Sequence, residues 1–453
     1  MTTHADRIRL LLASGPLGAR QLVEKTGLSQ PTLSRTITAL GDEVVRIGAA
    51  RSIQYTLRDA GRGLGAVPVY RVSAEGQLQR LGELVPVRPD GYVMCKTDGT
   101  TRHSDSLPWW LLDMRPQGFL GRAYAARHAD ALGLPRDLAE WNDSHMLRAL
   151  LAHGHDAVGN LLLGDVARAD FLAAAAPTPI AWENKGEAYQ RLAQAAARGD
   201  LPGSSAGGEQ PKFTSLAQTP DGPRHMLVKF TLPDANPVTE RWRDLLLAEY
   251  HALTTLRAAH DGGGCVVSAA RACVIDHAGQ RFLELERFDR VGVTGRQGLV
   301  SLASVEAEWV GDASARWPTI ATRLAQGGHI TAEAATGAAL LYAYGTLIGN
   351  TDMHHGNLSF LNQQGRPYAL APAYDMLPMA FAPRASGGLR DDLAPALLHP
   401  SVPNAIWAQA LALASDFLSR LQADERWSAR FAPCIASLSQ HITAAGEQVA
   451  RLG

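Results

Sequence analysis

The sequence predicts an α+β protein of several units: a small helical N-terminal unit closed by a β-hairpin, then a larger body that mixes strands with helices and becomes mainly helical toward its end. Two patterns predict it. Residues 1–63 hold three short helical periodicities followed by β-prone stretches. Farther on, strand-like segments (VPVYRV, LVPVRP, HMLVKF, FLELERFDR) are joined by the long helical segments ERWRDLLLAEYHALTTLRAA and TAEAATGAALLYAYGTLIG. A length of 453 residues exceeds what one core supports, and 46% hydrophobic with 19% charged residues excludes a disordered or fibrous chain.

The N-terminal elements follow in order. Ile8, Leu10, Leu11 and Leu12 suit a helix over Asp6–Ala13, closed by Ser14, Gly15 and Pro16. A second helix from Ala19 buries Leu22 and Val23 and ends at Gly27, where a left-handed cap fits. Ser29 is placed to cap a third helix with Pro31 in its first turn. Leu33, Ile37 and Leu40 face inward on that helix and leave Gln30, Thr32, Ser34, Arg35 and Thr38 outward. VVRIG and SIQYTL around Gly48 read as a hairpin carrying Arg46 and Arg51. The whole resembles a winged helix-turn-helix. Residues 1–63 hold nine Lys/Arg against five acids although the whole chain is at −1, a local excess that suits DNA.

No apolar run reaches the roughly 18 residues of a membrane span, and MTTHADRIRLLLASG turns polar too early for a signal peptide, so a cytoplasmic location is expected. Cys95, Cys265, Cys273 and Cys434 form no CxxC pair and are expected in the core. Residues 63–175, which include Trp109 and Trp110 as core or interface aromatics, are expected to be β-rich.

Only five of the 43 basic residues are lysines, so each lysine stands out for its compact ammonium. PGSSAGGEQPKF lets backbone N–H groups approach phosphates, and its Lys212 is followed by Lys229 on the strand HMLVKF. Burial among Leu227, Val228 and Phe230 would require an anionic partner for Lys229. Glu249 on the next helix fits a kinase-type Lys–Glu pair, with Glu240 and Asp244 as competitors and an ordinary exposed carboxylate as the bland reading. FLELERFDR reads as an edge strand, or as a hinge with Phe288 as an apolar wall against adenine. In NTDMHHGNLSF, Asp352 and Asn357 have the D-x-x-x-x-N spacing of a kinase catalytic loop, and Asp375 follows as a second metal carboxylate. His354 and His355 with Asp352 leave a zinc or iron site open, although adjacent histidines on a loop aim apart.

SSAGGEQPKF, VKF, ERFDR, GNTDMHHGN and AYDMLP occur in the order found in HipA-like serine/threonine kinases, and the chain resembles that family over about residues 66–430. The N-terminal unit resembles the YjjJ-type subgroup, whose winged helix is fused to the kinase. The resemblance implies a bilobal protein-kinase-like fold with a mixed α/β N-lobe and a mainly helical C-lobe, in units 1–62, 63–175, 176–290 and 291–453. It implies ATP and Mg²⁺ as cofactors, Lys229 on phosphate, Glu286 and Phe288 at the adenine hinge, Asp352 as base, and Asn357 with Asp375 on Mg²⁺. Ser205, Ala206, Gly207, Gly208, Lys212, Glu249 and His354 complete the implied nucleotide contacts. Ser204 or Ser205 matches the family's autophosphorylated serine, and the loop AGGEQPK is one residue longer than the family's. Implied partners are a translation component such as an aminoacyl-tRNA synthetase as protein substrate, DNA through residues 1–62, and a second copy in a homodimer. The rival reading is a nucleotide-sensing transcriptional regulator with a catalytically weak kinase-like domain.

Overall fold

The structure, a computed structural model, describes residues 3–49, 52–174, 178–198, 208–363 and 365–451. Arg51 and the loop residues Ser204, Ser205, Ala206 and Gly207 lie outside them.

The first unit contains α1 (His4–Leu12), β1 (Leu17–Gly18), α2 (Ala19–Thr26), α3 (Gln30–Leu40), β2 (Val44–Ile47) and β3 (Gln54–Leu57), its sheet ordered β1-β3-β2. Local chemistry sets these limits. Gly27 closes α2 at φ 71°, a conformation that costs other residues a Cβ clash. The Ser29 hydroxyl accepts from Thr32 N–H at the head of α3. Ile8, Leu12, Leu22, Leu33 and Leu40 form the core of the unit.

The next unit holds β4 (Val67–Val72), β5 (Leu78–Pro86), β6 (Tyr92–Lys96), β7 (Thr101–Ser104), α4 (Gly118–Leu132), α5 (Asp143–His153), β8 (Leu161–Leu163) and α6 (Gly164–Ala173). Its sheet runs β7-β6-β5-β4-β8. Three α-helices make this unit mixed, which corrects the β-rich expectation. Segments such as GFLGRAYAARHADAL place small apolar residues at helical spacing, a weaker signal than the strand alternation around them. The hairpin of the first unit is seated on this sheet. Val45 and Ile47 pack on Val85, Val87 and Val93, and Gly48 N–H donates to Thr101 Oγ1 at 2.7 Å.

The third part comprises α7 (Lys185–Ala197), β9 (Lys212–Thr219), β10 (Gly222–Phe230), α8 (Pro237–Asp261), β11 (Ala272–His277) and β12 (Gln280–Glu286), the sheet ordered β11-β12-β10-β9. β12 is therefore an interior strand, which corrects the edge-strand reading. Its charges are tolerated because Glu284 finds buried partners. Pleating sorts the side chains. Phe213, Val228, Phe230 and Phe282 pack with Tyr189 of α7 on one face, while Leu283 and Leu285 join Leu245 and Leu246 of α8 on the other.

The remainder consists of β13 (Arg290–Val291), β14 (Gly295–Arg296), β15 (Leu299–Ser301), α9 (Leu302–Trp309), α10 (Trp317–Gln326), α11 (Ala332–Leu347), β16 (Ser359–Leu361), β17 (Ala369–Leu370), α12 (Asn404–Ala423) and α13 (Ala432–Ala450). Its core includes Trp317, Tyr344, Phe360, Trp407 and Phe417. Cys265 and Cys434 are buried, but Cys95, second to last in β6, and Cys273, on the edge strand β11, are only half-buried. Among the described residues no helix is long and apolar enough to cross a membrane.

Candidate active site

β10 and α8 bring Lys229 and Glu249 together beneath the sheet. The Lys229 ammonium lies 2.6 and 2.7 Å from the two Glu249 oxygens, and both side chains are almost fully buried. Of the three candidate carboxylates the structure thus selects Glu249. Glu240 pairs with Arg430 at 3.3 Å, and Asp244 accepts from Ser428. Asp375 supplies Lys229 with its third acceptor. Burial works against charge on Lys229, but Asp375 and Glu249 outweigh it and hold the ammonium above the ordinary lysine range. Burial would likewise raise Asp375, yet Lys229 and then Lys212 hold its carboxyl below the usual range. Asp375 also sits at φ 52°, a strained backbone for a residue with a Cβ.

Register sets Lys212 of β9 directly beside Lys229. Burial pushes Lys212 down to about 8. Gly208 sits at φ 91°, a conformation that favours glycine, and a Cβ there would fall 2.7 Å from the Lys212 ammonium, which would have to shift.

The segment after α11 forms the opposite wall. Asn350 donates to Asp375 O at 3.2 Å, and its Oδ1 accepts from Asp352 N–H. Asn357 Nδ2 donates to Asp352 O at 2.8 Å, which leaves the Asn357 amide oxygen available as a ligand. Burial raises Asp352 above the ordinary aspartate range. The two histidines are held apart: His354 Nδ1 accepts from Gly356 N–H, while His355 Nε2 lies 2.9 Å from Ala315 O. That divergence removes the zinc or iron arrangement.

A cavity of about 460 Å³ gathers Gly208, Lys212, Glu286, Phe288, His354, Asn357 and Asp375. Lys229 and Glu249 lie behind its wall, and Asp352 faces an adjoining groove of about 1080 Å³ that shares His354 and Gly356 with the cavity. Glu286 pairs with Arg224 at 3.2 Å, its N–H is used by Arg271 O, and the Phe288 ring lies 5.7 Å from Tyr374. In volume and in its apolar walls with a few convergent polar groups, the cavity has the character of a nucleotide-sized site. The amide oxygen of Asn357 and the carboxylate of Asp375 are the hard oxygen donors that Mg²⁺ takes.

Sequence reasoning missed the second unit's share of this cavity. Leu112, Asp113, Arg115 and Gln117 line it, and Asp113 accepts from the Ser301 and Ser304 hydroxyls at the head of α9. The available signal was one aspartate within the aromatic run PWWLLDMRP. Also unforeseen was a buried ionic network in which Asp156 joins Arg287 and Arg290, and Asp289 joins the same two arginines.

The DNA-reading candidates are distributed unevenly. Gln30, Ser34 and Arg35 are exposed on α3 and Arg46 is exposed on β2, whereas Thr32 is half-buried with its hydroxyl 2.9 Å from that of Ser29.

A sheet and a helical body thus face each other across a cavity lined by Glu286, Asp289 and Asp375, the arrangement of a two-lobed enzyme site. Residues 64–172 match the family model described as YjjJ-like toxin, middle domain, and residues 204–437 match the HipA-like C-terminal domain. The chain is 38% identical over 444 residues, 98% of each protein, to Toxin YjjJ of Escherichia coli (strain K12). Its fold is similar to a chain of the Shewanella oneidensis MR-1 toxin–antitoxin complex of HipA, HipB and operator DNA, with TM-score 0.54 and 16% identity over 85% of this chain and 99% of that one. The chain belongs to the HipA-like family, in its YjjJ-like branch, in agreement with its motifs.

Proposed function

We propose that the chain is an ATP- and Mg²⁺-dependent serine/threonine protein kinase and a toxin of the HipA kind. The observation that carries this reading is Lys229 held between Glu249 and Asp375 at the cavity that Asn357 lines, with Asp352 at the junction to a groove. Asp352 would take the proton of a substrate hydroxyl, and its raised affinity for protons suits a general base. All three Lys229 donors are engaged, so Lys229 would exchange Asp375 for a nucleotide phosphate and free that carboxylate for metal. Asn357 and Asp375 would hold Mg²⁺, which neutralises phosphate charge when bound. Glu286 and Phe288 would border adenine, and Lys212 with His354 would face the phosphates.

Ser204 or Ser205 is proposed as the autophosphorylated serine, and a translation component such as an aminoacyl-tRNA synthetase as the substrate in a cytoplasmic setting. The test is incubation of the full chain with labelled ATP and Mg²⁺ beside Asp352→Ala, followed by phosphosite mapping. Transfer should fall about 100- to 10,000-fold in the variant. ATP binding by the wild-type chain without any transfer would instead favour the nucleotide-sensing regulator.

We further propose that residues 1–62 form a winged helix that binds DNA, as a homodimer, through Gln30, Thr32, Ser34 and Arg35, with Arg46 and Arg51 on the backbone. Arg35→Ala in the full chain should weaken a mobility shift, and the salt dependence should become shallower. The full chain is required because a fragment would uncover Val45 and Ile47.

A further inference from the structure

The groove beside Asp352 contains a cation that the proposed chemistry does not use. Arg316 lines it, exposed, at the head of α10. Its guanidinium lies 6.0 Å from the centre of the Tyr342 ring, and no carboxylate among the described residues pairs with it. Its neighbours are already neutralised: Arg390 by Asp392 at 3.5 Å and Arg323 by Asp312 at 2.9 Å. Arg316 is also fixed relative to the reacting centre, because the carbonyl of the preceding Ala315 lies 2.9 Å from His355 Nε2 on the loop that carries Asp352.

The groove's lining also has an apolar part, next to Arg390, Asp392 and His399. Leu393 and Leu398 line it, and Leu397 stands 79% exposed at its edge. At about 1080 Å³ the groove exceeds the roughly 300–1,000 Å³ of small-molecule sites. A nucleic-acid backbone presents a row of phosphates and would require several free cations. One arginine that rests on Tyr342 with no carboxylate partner among the described residues, beside apolar lining, fits a polypeptide that presents one acid.

We propose that this groove seats the protein substrate and that Arg316 selects a phosphoacceptor serine or threonine with an aspartate or glutamate near it in sequence. The inference rests on the kinase reading above. Arg316 is a specificity residue: it pairs with the substrate's acid while Asp352 receives the hydroxyl, and the terminus of α10 adds partial positive charge of the same sign.

The test uses the full chain with serine-centred peptide libraries in which the flanking positions are acidic, neutral or basic, read as kcat/KM beside autolabelling of the protein. Wild type should favour acidic flanks, and Arg316→Glu should lower kcat/KM on them about tenfold while gaining on basic flanks. ATP-induced thermal stabilisation should be unchanged in the variant, which separates lost recognition from lost folding; Arg316→Lys should retain most of the preference. Equal profiles for wild type and Arg316→Glu, or a wild type indifferent to flanking charge, overturn the proposal. So does a wild type that labels itself but no peptide. A wild type that labels neither itself nor any peptide overturns the kinase reading as well.

Discussion

The four-stranded sheet β11-β12-β10-β9 has a buried lysine–glutamate pair on each face, and the two pairs are closed in different ways. On the α7 face Lys185 meets both Glu284 oxygens at 2.7 and 2.8 Å, the Tyr189 hydroxyl donates to the same carboxylate, and the Trp182 ring lies 4.3 Å from the ammonium. On the α8 face Lys229 meets Glu249 with similar geometry, but its third donor goes to Asp375, a carboxylate 24% exposed at the cavity. One pair is complete within the protein. The other ends on a group that a ligand can displace. A buried charge costs several kcal/mol to desolvate wherever it lies. Function therefore depends less on the pair than on whether its last partner is exchangeable.

The largest effect should come from breaking the closed pair. Lys185→Met leaves Glu284 uncompensated and should cost about 3–5 kcal/mol in denaturant unfolding. Adding Glu284→Leu and Tyr189→Phe should restore most of that loss. The same treatment of the cavity-side pair, Lys229→Met with Glu249→Leu, should restore stability but not transfer. Lys229→Met alone should lower kcat about 100- to 1,000-fold and abolish ATP-induced stabilisation. If Lys185→Met cut kcat as deeply at a temperature where it is folded, the division between the two faces would fail. Smaller again, Tyr189→Phe removes one hydrogen bond to a charged acceptor and should cost about 1.5–3 kcal/mol with kcat unchanged.

The smallest effect sharpens the picture of the cavity side. Lys212, pushed down to about 8, is cationic below that pH and neutral above it. If its charge holds phosphate, kcat/KM for ATP should fall about tenfold per pH unit above 8. Lys212→Arg should carry the plateau past pH 10, since a guanidinium keeps its proton. A wild-type profile that stays flat to pH 10 would remove Lys212 from phosphate binding.

Several of these residues are legible in the amino-acid sequence. Ser29 and Gly27 announce the ends of α3 and α2 because caps are local chemistry. Asp352 and Asn357 announce one loop because five residues of chain bind them together through Asp352 O. The rarity of lysine points the same way: Lys185, Lys212 and Lys229 are each 2% exposed. Lys185 nonetheless carries no sign of its role, since its helix has no motif and its partner Glu284 lies 99 residues away. Asp113 is hidden for a similar reason. Its aromatic neighbours suggest core, and only contact with Ser301 and Ser304, some 190 residues on, brings it to the cavity.

By itself the sequence determined the helices of the first unit, the family and the short motifs that reach the cavity, because periodicity, capping and short motifs act over a few residues of chain. Tertiary structure alone decided that Glu249, and not Glu240 or Asp244, meets Lys229, that Asp375 completes the set across 146 residues, and that Arg316 lines the same groove as Asp352 with no carboxylate partner among the described residues. The reason is the range of the forces. Coulomb attraction and hydrogen bonding depend on a few ångströms in space, and in the buried interior that distance is set by how strands and helices pack, not by separation along the chain.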